Sequence, residues 1–501
     1  MVQAGLDVRI LWVSNSGWSH QGYGVQVRGL LPHLVEQGHE IAIFAFYGLE
    51  GGKVDLPLGG QDGPVLTHYP RHVERYGNDV VAAHARDWDA DCVITLMDAW
   101  VCNPEVYRPL NWLAWTPIDQ EPIPDLVLAR LPHMKRVLPY SKFGERLVQQ
   151  TGLPCSYIPH GVDTDIYRPF PPGGRAQAKE VLGFEASDFV VGMVGANKGW
   201  PPRKGFPEAF QAFKMLRERV PQARLFVHSL VTTDYGGPHL MVLAETLGIG
   251  PYVKFSDQYL QTIGMPAQGM AVMYNAFDVL LQASTHEGFG LPIIEAQACG
   301  TPVVAVDATS MTELVAPGYG TLVAPLQKQL TTMMSWVAVQ DITALAHALH
   351  AVHDHPPTDV DQELIVSWAR QYDWKIVAEH YWKPMLEQVA DDLRVSTRGL
   401  ARAMEQAIVT HRHDPSDLDA EPCCPECCDC DRCCEDDECS RHTCCCQCVV
   451  EEIMAITADA QVTLDFANDK YAHCPHSGPT ALDGYLDELR ERVKLLDQVE
   501  A

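Results

Sequence analysis

The sequence predicts an α/β protein with two Rossmann-like domains facing across a cleft, followed by a Cys-rich, partly helical C-terminal extension. Three observations predict this. Short apolar, β-branched runs alternate with helical spacing from residue 7 onward. The alternation breaks at a Pro- and Gly-rich stretch, RPFPPGGR at 168–175, and then restarts. Composition then changes: all 11 Trp lie at or before Trp382, whereas 13 of the 17 Cys lie at or after Cys423.

The first half opens with a buried strand, DVRILWVS at 7–14. A Gly-rich loop follows at 16–24, then a helix at 25–37 with Val27, Leu30, Leu31, Leu34 and Val35 on one face and Gly38 as its stop. EIAIFAFY at 40–47 is the next strand, which completes a βαβ unit. Its loop lies at the carboxyl end of the first strand, where open parallel sheets bind ligands. VLTHY, DCVITLMD, NWLAWTPI, RVLPYS and SYIPHG read as further strands with helical segments between most of them, and the alternation implies a parallel sheet covered on both faces. The second half repeats the scheme. DFVVGMVGA at 188–196 is a strand, and 205–220 is a helix with Phe206, Phe210, Phe213, Leu216 and Val220 on one face. RLFVHSL, VKFSD, DVLLQAS, PVVAVD and TLVAP are its later strands.

The 501 residues are 47% hydrophobic and 20% charged, which suits folded domains rather than wholesale disorder or a coiled coil. No apolar run approaches the ~20 residues of a membrane span. The first residues read as a strand and not as a signal peptide. A formal charge of −28 argues against general affinity for nucleic-acid phosphates or anionic lipid surfaces. Four dispersed cysteines in the body (Cys92, Cys102, Cys155 and Cys299) fit a reducing cytoplasm, the expected location.

Three loops carry the chemistry. In STHEGFGLPIIEAQACGTPVVAV at 284–306, a strand ends, a Gly-containing loop holds Glu287, and a helix starts near Leu291 and stops at Gly300. Glu287 is expected to be exposed at the mouth of the cleft, with Glu295 in the first turns of the helix facing the same cleft. Gly288 and Gly290 allow close backbone approach, and the helix start offers N–H groups to an anion. A carboxylate such as Glu295 suits a vicinal diol, as the acidic residue of dinucleotide folds suits ribose. The second loop, GANKGWPPRKG at 195–205, clusters Lys198, Arg203 and Lys204 before a helix, an arrangement suited to a diphosphate. The third is the N-terminal loop with Gly17, Gly22 and Gly24, and with Trp18, His20 and Tyr23 suited to stacking on a sugar. Val27 occupies the third glycine position of G-x-G-x-x-G, so a dinucleotide fingerprint is absent. Read for their chemistry alone, these segments are also compatible with solvated acids, a surface basic loop and a flexible turn.

The run EGFGLPIIEAQACGTPVVA closely resembles the E-x7-E signature of glycosyltransferase family 4, a retaining family with the GT-B fold. Lys204-Gly205 resembles that family's Lys-Gly pair, with Lys198 the nearest counterpart of the Arg that precedes it. The resemblance extends over residues 7–388, through HGVD at 160–163, Thr312-Glu313-Leu314-Val315, and SWARQYDWKIVAEHYWKPM at 367–385. It implies a retaining transfer of a hexose from a nucleoside diphosphate sugar to an acceptor that the sequence does not identify. It also implies the roles. Glu287, Lys204 and Arg203 belong to the catalytic site, together with Asp119, which stands about where the family has a His. Glu295, Lys198, Gly288, Phe289, Gly290, Leu291, Gly22 and Gly24 belong to the donor site. No cofactor is required when Lys and Arg supply the positive charge, and the Asp-x-Asp triplets at 89–91 and 163–165 read as turns.

The tail is a different object. Residues 391–501 hold 25 acidic and 10 basic residues, a net −15. Within 422–448 there are 12 Cys, with C-x-x-C spacing through Cys424, Cys427, Cys430 and Cys433, and again at Cys445 and Cys448. Thiolates at that spacing suit zinc, or else an iron–sulfur cluster, and a redox-active segment without metal is the alternative. Residues 449–501 carry amphipathic spacing suited to self-association or partner binding. The expected organisation is therefore 1–167 first domain, 168–187 linker, 188–366 second domain, 367–390 closing helix, 391–421 helical linker, 422–448 Cys-rich segment and 449–501 helical tail. Two other functions stay open: a non-catalytic metal-binding or interaction protein on a degenerate sugar-nucleotide fold, and another GT-B enzyme such as a sugar-nucleotide epimerase.

Overall fold

The computed structural model describes residues 8–393 apart from 62, 233 and 234. The chain divides into two compact units, one spanning Asp7–Met385 and the other gathering Met1–Leu6 with Leu386–Ala501. In the second of these only 386–393 are described, and they are helical. The Cys-rich segment and the helices expected beyond it lie outside the described residues.

The larger unit holds two mainly parallel sheets. The first contains β1 (Arg9–Asn15), β2 (Glu40–Glu50), β3 (Val54–Pro57), β4 (Val65–Arg71), β5 (Cys92–Leu96), β6 (Trp112–Thr116) and β7 (Arg136–Pro139). Their order is β3-β4-β2-β1-β5-β6-β7, and β3 is antiparallel to β4. The second sheet contains β8 (Phe189–Val194), β9 (Ala223–His228), β10 (Val253–Phe255), β11 (Val279–Gln282), β12 (Val303–Val306) and β13 (Thr321–Val323), in the order β10-β9-β8-β11-β12-β13. β1, β5, β6, β8 and β11 are near-continuous apolar runs because helices cover both faces of each sheet. Strand order reverses beside β1 in the first sheet and beside β8 in the second. The loops leaving β1, β5, β8 and β11 therefore open at the two switch points, where doubly wound sheets take their ligands.

Five readings from sequence are corrected. SYIPHG makes no strand; Cys155 forms only an isolated bridge to Val137, and Pro154 and Pro159 lack the N–H donors a ladder needs. β3 was not foreseen, being a short, mostly exposed edge strand. Nor was the antiparallel hairpin β14 (Gln327–Leu330) and β15 (Trp336–Val339), whose first strand is exposed throughout and so shows no apolar alternation. The stretch expected as a linker contains a helix, Gly174–Val181, anchored to the second sheet by Lys179 Nζ on Asp278 (2.8 Å). The expected closing helix is interrupted once, at 371–373: Asp359–Arg370 ends there, and a second helical run starts with Trp374–Val377, passes through the π-helical Ala378–Trp382 and continues to 393. The break falls where Asp373 leaves helical geometry, pairs with Val162 and caps the next helix through Lys375 N–H.

That segment returns to the first sheet. Trp382 packs against Trp12 and Trp115, with centroids 5.4 and 5.0 Å away. Trp374 fills the space left open by Gly29 and Gly161, where a Cβ would lie within 2.3 Å of the indole. The two halves also meet directly. Glu313 accepts the N–H groups of Lys142 and Phe143 at the start of helix Lys142–Gln149 (2.8 and 3.2 Å). β15 donates Trp336 N–H to Glu121 O (2.8 Å) in the loop after β6.

Candidate functional site

Glu287 is the hub. It sits in the loop after β11 and is 5% exposed, not at the cleft mouth as its loop position suggested. Its Oε1 receives Lys204 Nζ (2.5 Å), Ser284 Oγ (2.7 Å) and Gln282 Nε2 (2.9 Å), and its Oε2 receives Arg203 Nη1 (2.6 Å). Burial alone would raise its pKa, but the two cations outweigh burial and hold the carboxyl far below the usual range. The same pairing raises Arg203 against its own desolvation, while Lys204, more enclosed and beside Arg203, is lowered. The hub is built from both switch-point loops of the second sheet: Arg203 and Lys204 follow β8, and Glu287 follows β11.

The backbone enforces this geometry. Gly205 has φ +65°, and a Cβ there would lie 2.1 Å from Ala283 O, so only glycine lets the loop turn directly behind Lys204. Thr285 N–H donates to Arg203 O (2.8 Å), tying the two loops together. On the other side Thr309 Oγ1 accepts Glu287 N–H (2.9 Å), and Ser310 Oγ donates to Glu287 O (2.9 Å) and to Phe289 O. Helix Leu291–Ala298 then starts at Gly290 with no side-chain cap. That leaves its first N–H groups without a side-chain acceptor.

Glu295 lies one turn into that helix, buried, with Oε2 accepting Tyr274 OH (2.6 Å) and the Tyr167 hydroxyl also acting on it. Desolvation outweighs both hydroxyls and pushes its carboxyl up to about 7. The two glutamates thus differ in kind: one is locked as an anion by paired cations, and the other is poised near neutrality.

The other expected donor residues divide. Gly22 begins helix Gly22–Glu36 and faces Leu291 of the opposite half, its Cβ position 3.8 Å from Leu291 Cδ1. Gly288 approaches Pro117 so closely that a Cβ would lie 2.6 Å from the proline ring. Gly24 is required by its own loop, because a Cβ there would meet Ser19 O at 2.4 Å. Phe289 places its ring against His160 and Tyr372. Lys198 does not join the other two cations on Glu287. Its Nζ lies over the Tyr235 ring at 5.0 Å, because the loop is drawn that way by Gly199 N–H on Tyr235 O and Asn197 Nδ2 on Leu230 O and Pro238 O. The expected triple cation cluster is therefore a pair.

Asp119 does face this site, from the loop after β6. Its Oδ2 is 3.8 Å from His286 Nε2, and the charges of Arg203 and Glu287 act on it. Gln120 Nε2 lies 3.1 Å from the same His286 nitrogen. Burial and the neighbouring Arg203 and Lys204 hold His286 at about 3, so it is neutral at ordinary pH. Sequence reasoning missed His286, Gln120 and Asp98, whereas Tyr23, expected from its loop to stack on a sugar, is partly buried against the core of the first half. Asp98 was readable as the acid ending β5 at the first switch point. Gln120 and His286 gave no signal, because their partners are 166 positions apart. Among the described residues, no group of three or more His, Cys, Asp or Glu could hold a metal ion. The expected ligands Cys424, Cys427, Cys430, Cys433, Cys445 and Cys448 lie outside those residues. No helix among them is long and apolar enough to cross a membrane.

Residues 175–337, which carry the whole Glu287 hub, match the family described as Glycosyl transferases group 1. This stretch is similar to the group 1 glycosyltransferases. Similar curated proteins include D-inositol 3-phosphate glycosyltransferase 2 of Catenulispora acidiphila, 37% identical over 179 residues, 34% of this chain and 38% of that protein. The D-inositol 3-phosphate glycosyltransferase of Kribbella flavida is 29% identical over 44% of this chain and 47% of its own length. A GDP-mannose-dependent α-(1-6)-phosphatidylinositol monomannoside mannosyltransferase of Mycolicibacterium smegmatis is 33% identical over 32 and 41%. The chain spans less than half the length of each of these relatives. Among solved structures, sucrose-phosphate synthase of Thermosynechococcus elongatus aligns with TM-score 0.59 at 20% identity, over 78% of this chain and all of that one. Anabaena HepE in complex with UDP and glucose aligns with TM-score 0.52 at 19% identity, over 77 and 100%. The fold around residues 175–337 is therefore the two-sheet GT-B architecture.

Proposed function

We propose that the chain transfers a hexose from a nucleoside diphosphate sugar to an acceptor, with retention at the anomeric carbon. The observation that carries this reading is the convergence of Arg203 and Lys204 on the buried carboxylate of Glu287 at the second sheet's switch point. Two preorganised cations in a low-dielectric cleft suit the charge that develops on a departing diphosphate. Glu287 holds them in place and offers its remaining acceptor capacity to the transferred sugar's hydroxyls. Glu295, already carrying two tyrosine hydroxyls, keeps lone pairs for the ribose diol. The uncapped helix start at Leu291 adds N–H groups toward the phosphates. In family 4 fashion the acceptor attacks the face from which the diphosphate leaves, so no protein nucleophile is assigned. The relative named for GDP-mannose and the neighbour solved with UDP and glucose support this donor class.

The test is calorimetric binding of UDP-, GDP- and ADP-sugars to the full chain, followed by NMR of the anomeric proton in any product. Binding of one nucleotide sugar and a product with the donor's anomeric configuration is expected. An inverted product would contradict retention, and no binding by any donor would contradict the function.

A further inference from the structure

We infer that the acceptor is an unphosphorylated polyol, uncharged or amino-bearing, and that Asp98, Asp119 and Gln120 recognise its hydroxyl or ammonium hydrogens. This rests on the reading of the cleft as a glycosyl-transfer site and adds its acceptor class.

The first-sheet side of the cleft presents an acid and an amide, Asp119 and Gln120. Asp119 Oδ2 and Gln120 Nε2 converge on the same atom, His286 Nε2, at 3.8 and 3.1 Å, so both side chains end where the two halves face each other. Gln120 is 3% exposed, and its Oε1 has no hydrogen-bond partner among the described residues. A buried amide oxygen left unpaired costs the desolvation of that group and calls for a donor. Asp98, at the carboxyl end of β5, lies near enough for the charges of Asp119, Arg203 and Lys198 to act on it, and burial raises it as it raises Asp119. A hydroxyl or ammonium group supplies the donor that Gln120 Oε1 lacks. A phosphate, which is acceptor-only when ionised, does not.

Charge leads to the same conclusion. Asp98, Asp119 and Glu287 supply three carboxylates against Arg203, Lys204 and the more distant Lys198, and both near cations already bond Glu287. A nucleoside diphosphate brings further negative charge to that cation pair. A phosphomonoester on the acceptor adds about −1.5 to −2 more, against a wall that is itself acidic. Relatives of this chain carry D-inositol 3-phosphate in their names, so the acidic wall separates this cleft from the acceptor named there.

The experiment uses the full chain with whichever donor binds in calorimetry, and four acceptors in matched pairs: myo-inositol against myo-inositol 3-phosphate, and glucosamine against glucosamine 6-phosphate. At least tenfold higher kcat/KM for the unphosphorylated member of a pair is expected. Asp98→Asn combined with Asp119→Asn should reduce that preference by at least tenfold, and donor calorimetry on the variant shows that it has folded. Equal or better use of the phosphorylated member overturns the inference while leaving the transferase reading intact. Donor binding with transfer to neither unphosphorylated member overturns it as well, and a preference unchanged in the double variant overturns the assignment to Asp98 and Asp119. If no donor binds, the transferase reading itself fails.

Discussion

Lys204 and Glu287 are paired inside the protein, Nζ to Oε1 at 2.5 Å, with side chains 14 and 6% exposed. They come from loops 83 positions apart, one after β8 and one after β11, and the sheet order makes those strands neighbours. The pair is thus a product of topology. Breaking it leaves an uncompensated buried charge, which is costly in a way that a surface ion pair is not.

Glu287→Gln follows from that pairing. The amide keeps the shape and removes the charge that orients both Arg203 and Lys204. Turnover is expected to fall by about 100-fold or more. Circular dichroism should remain native, because Ser284 and Gln282 still hold the side chain. Full kcat in this variant, measured by steady-state transfer or donor hydrolysis, would show that the hub does not serve the chemistry.

Glu295 gives a pH dependence. Its carboxyl titrates at about 7 in the fold, against an ordinary value of 4.5. The ribose-holding form is the ionised one, so donor affinity should strengthen as pH rises from 6 to 8, by roughly tenfold from the low end to the plateau. Stability should run the other way. A raised carboxyl binds its proton more readily folded than unfolded, so its contribution is complete below about 4.5 and is lost as pH rises through 7, by roughly 3 kcal/mol. Calorimetric titration and Tm across this range check both signs. Glu295→Gln should flatten both profiles and raise the donor KM.

Gly205→Ala tests the backbone behind the cations. A residue with a Cβ must adopt φ +65° and meet Ala283 O, so a loss of about 1–3 kcal/mol is expected by denaturant unfolding. Donor affinity should fall with it, since Lys204 is the preceding residue.

The Cys-rich segment is proposed to hold zinc. Elemental analysis of the full chain purified without added chelator should find bound zinc, and Cys→Ser at 424, 427, 430, 433, 445 and 448 together should lower it. Equal zinc in both proteins would remove the proposal.

Much of this architecture was legible. Short apolar runs such as RILWV and VLLQ, bounded by turn residues, read as strands buried on both faces, and the Gly-bearing loop with Glu287 and Glu295 carries its spacing in the sequence. What failed were features decided by tertiary partners. The burial of Glu287 depends on cations from another loop. The departure of Lys198 depends on Tyr235 and on Asn197 bonding two distant carbonyls. The ring of Phe289 faces His160, a contact between halves that no local pattern encodes. The convergence of Asp119, Gln120 and His286 is invisible for the same reason.

The central claim is that the Lys204–Glu287 hub neutralises a departing diphosphate. Lys204→Ala addresses it most directly, with turnover and donor binding measured on the same preparation of the full chain. A fall in kcat/KM of about two to three orders of magnitude, with a native circular dichroism spectrum and weakened binding of the nucleoside diphosphate, is the expected result. Wild-type turnover together with wild-type nucleoside diphosphate affinity would contradict it.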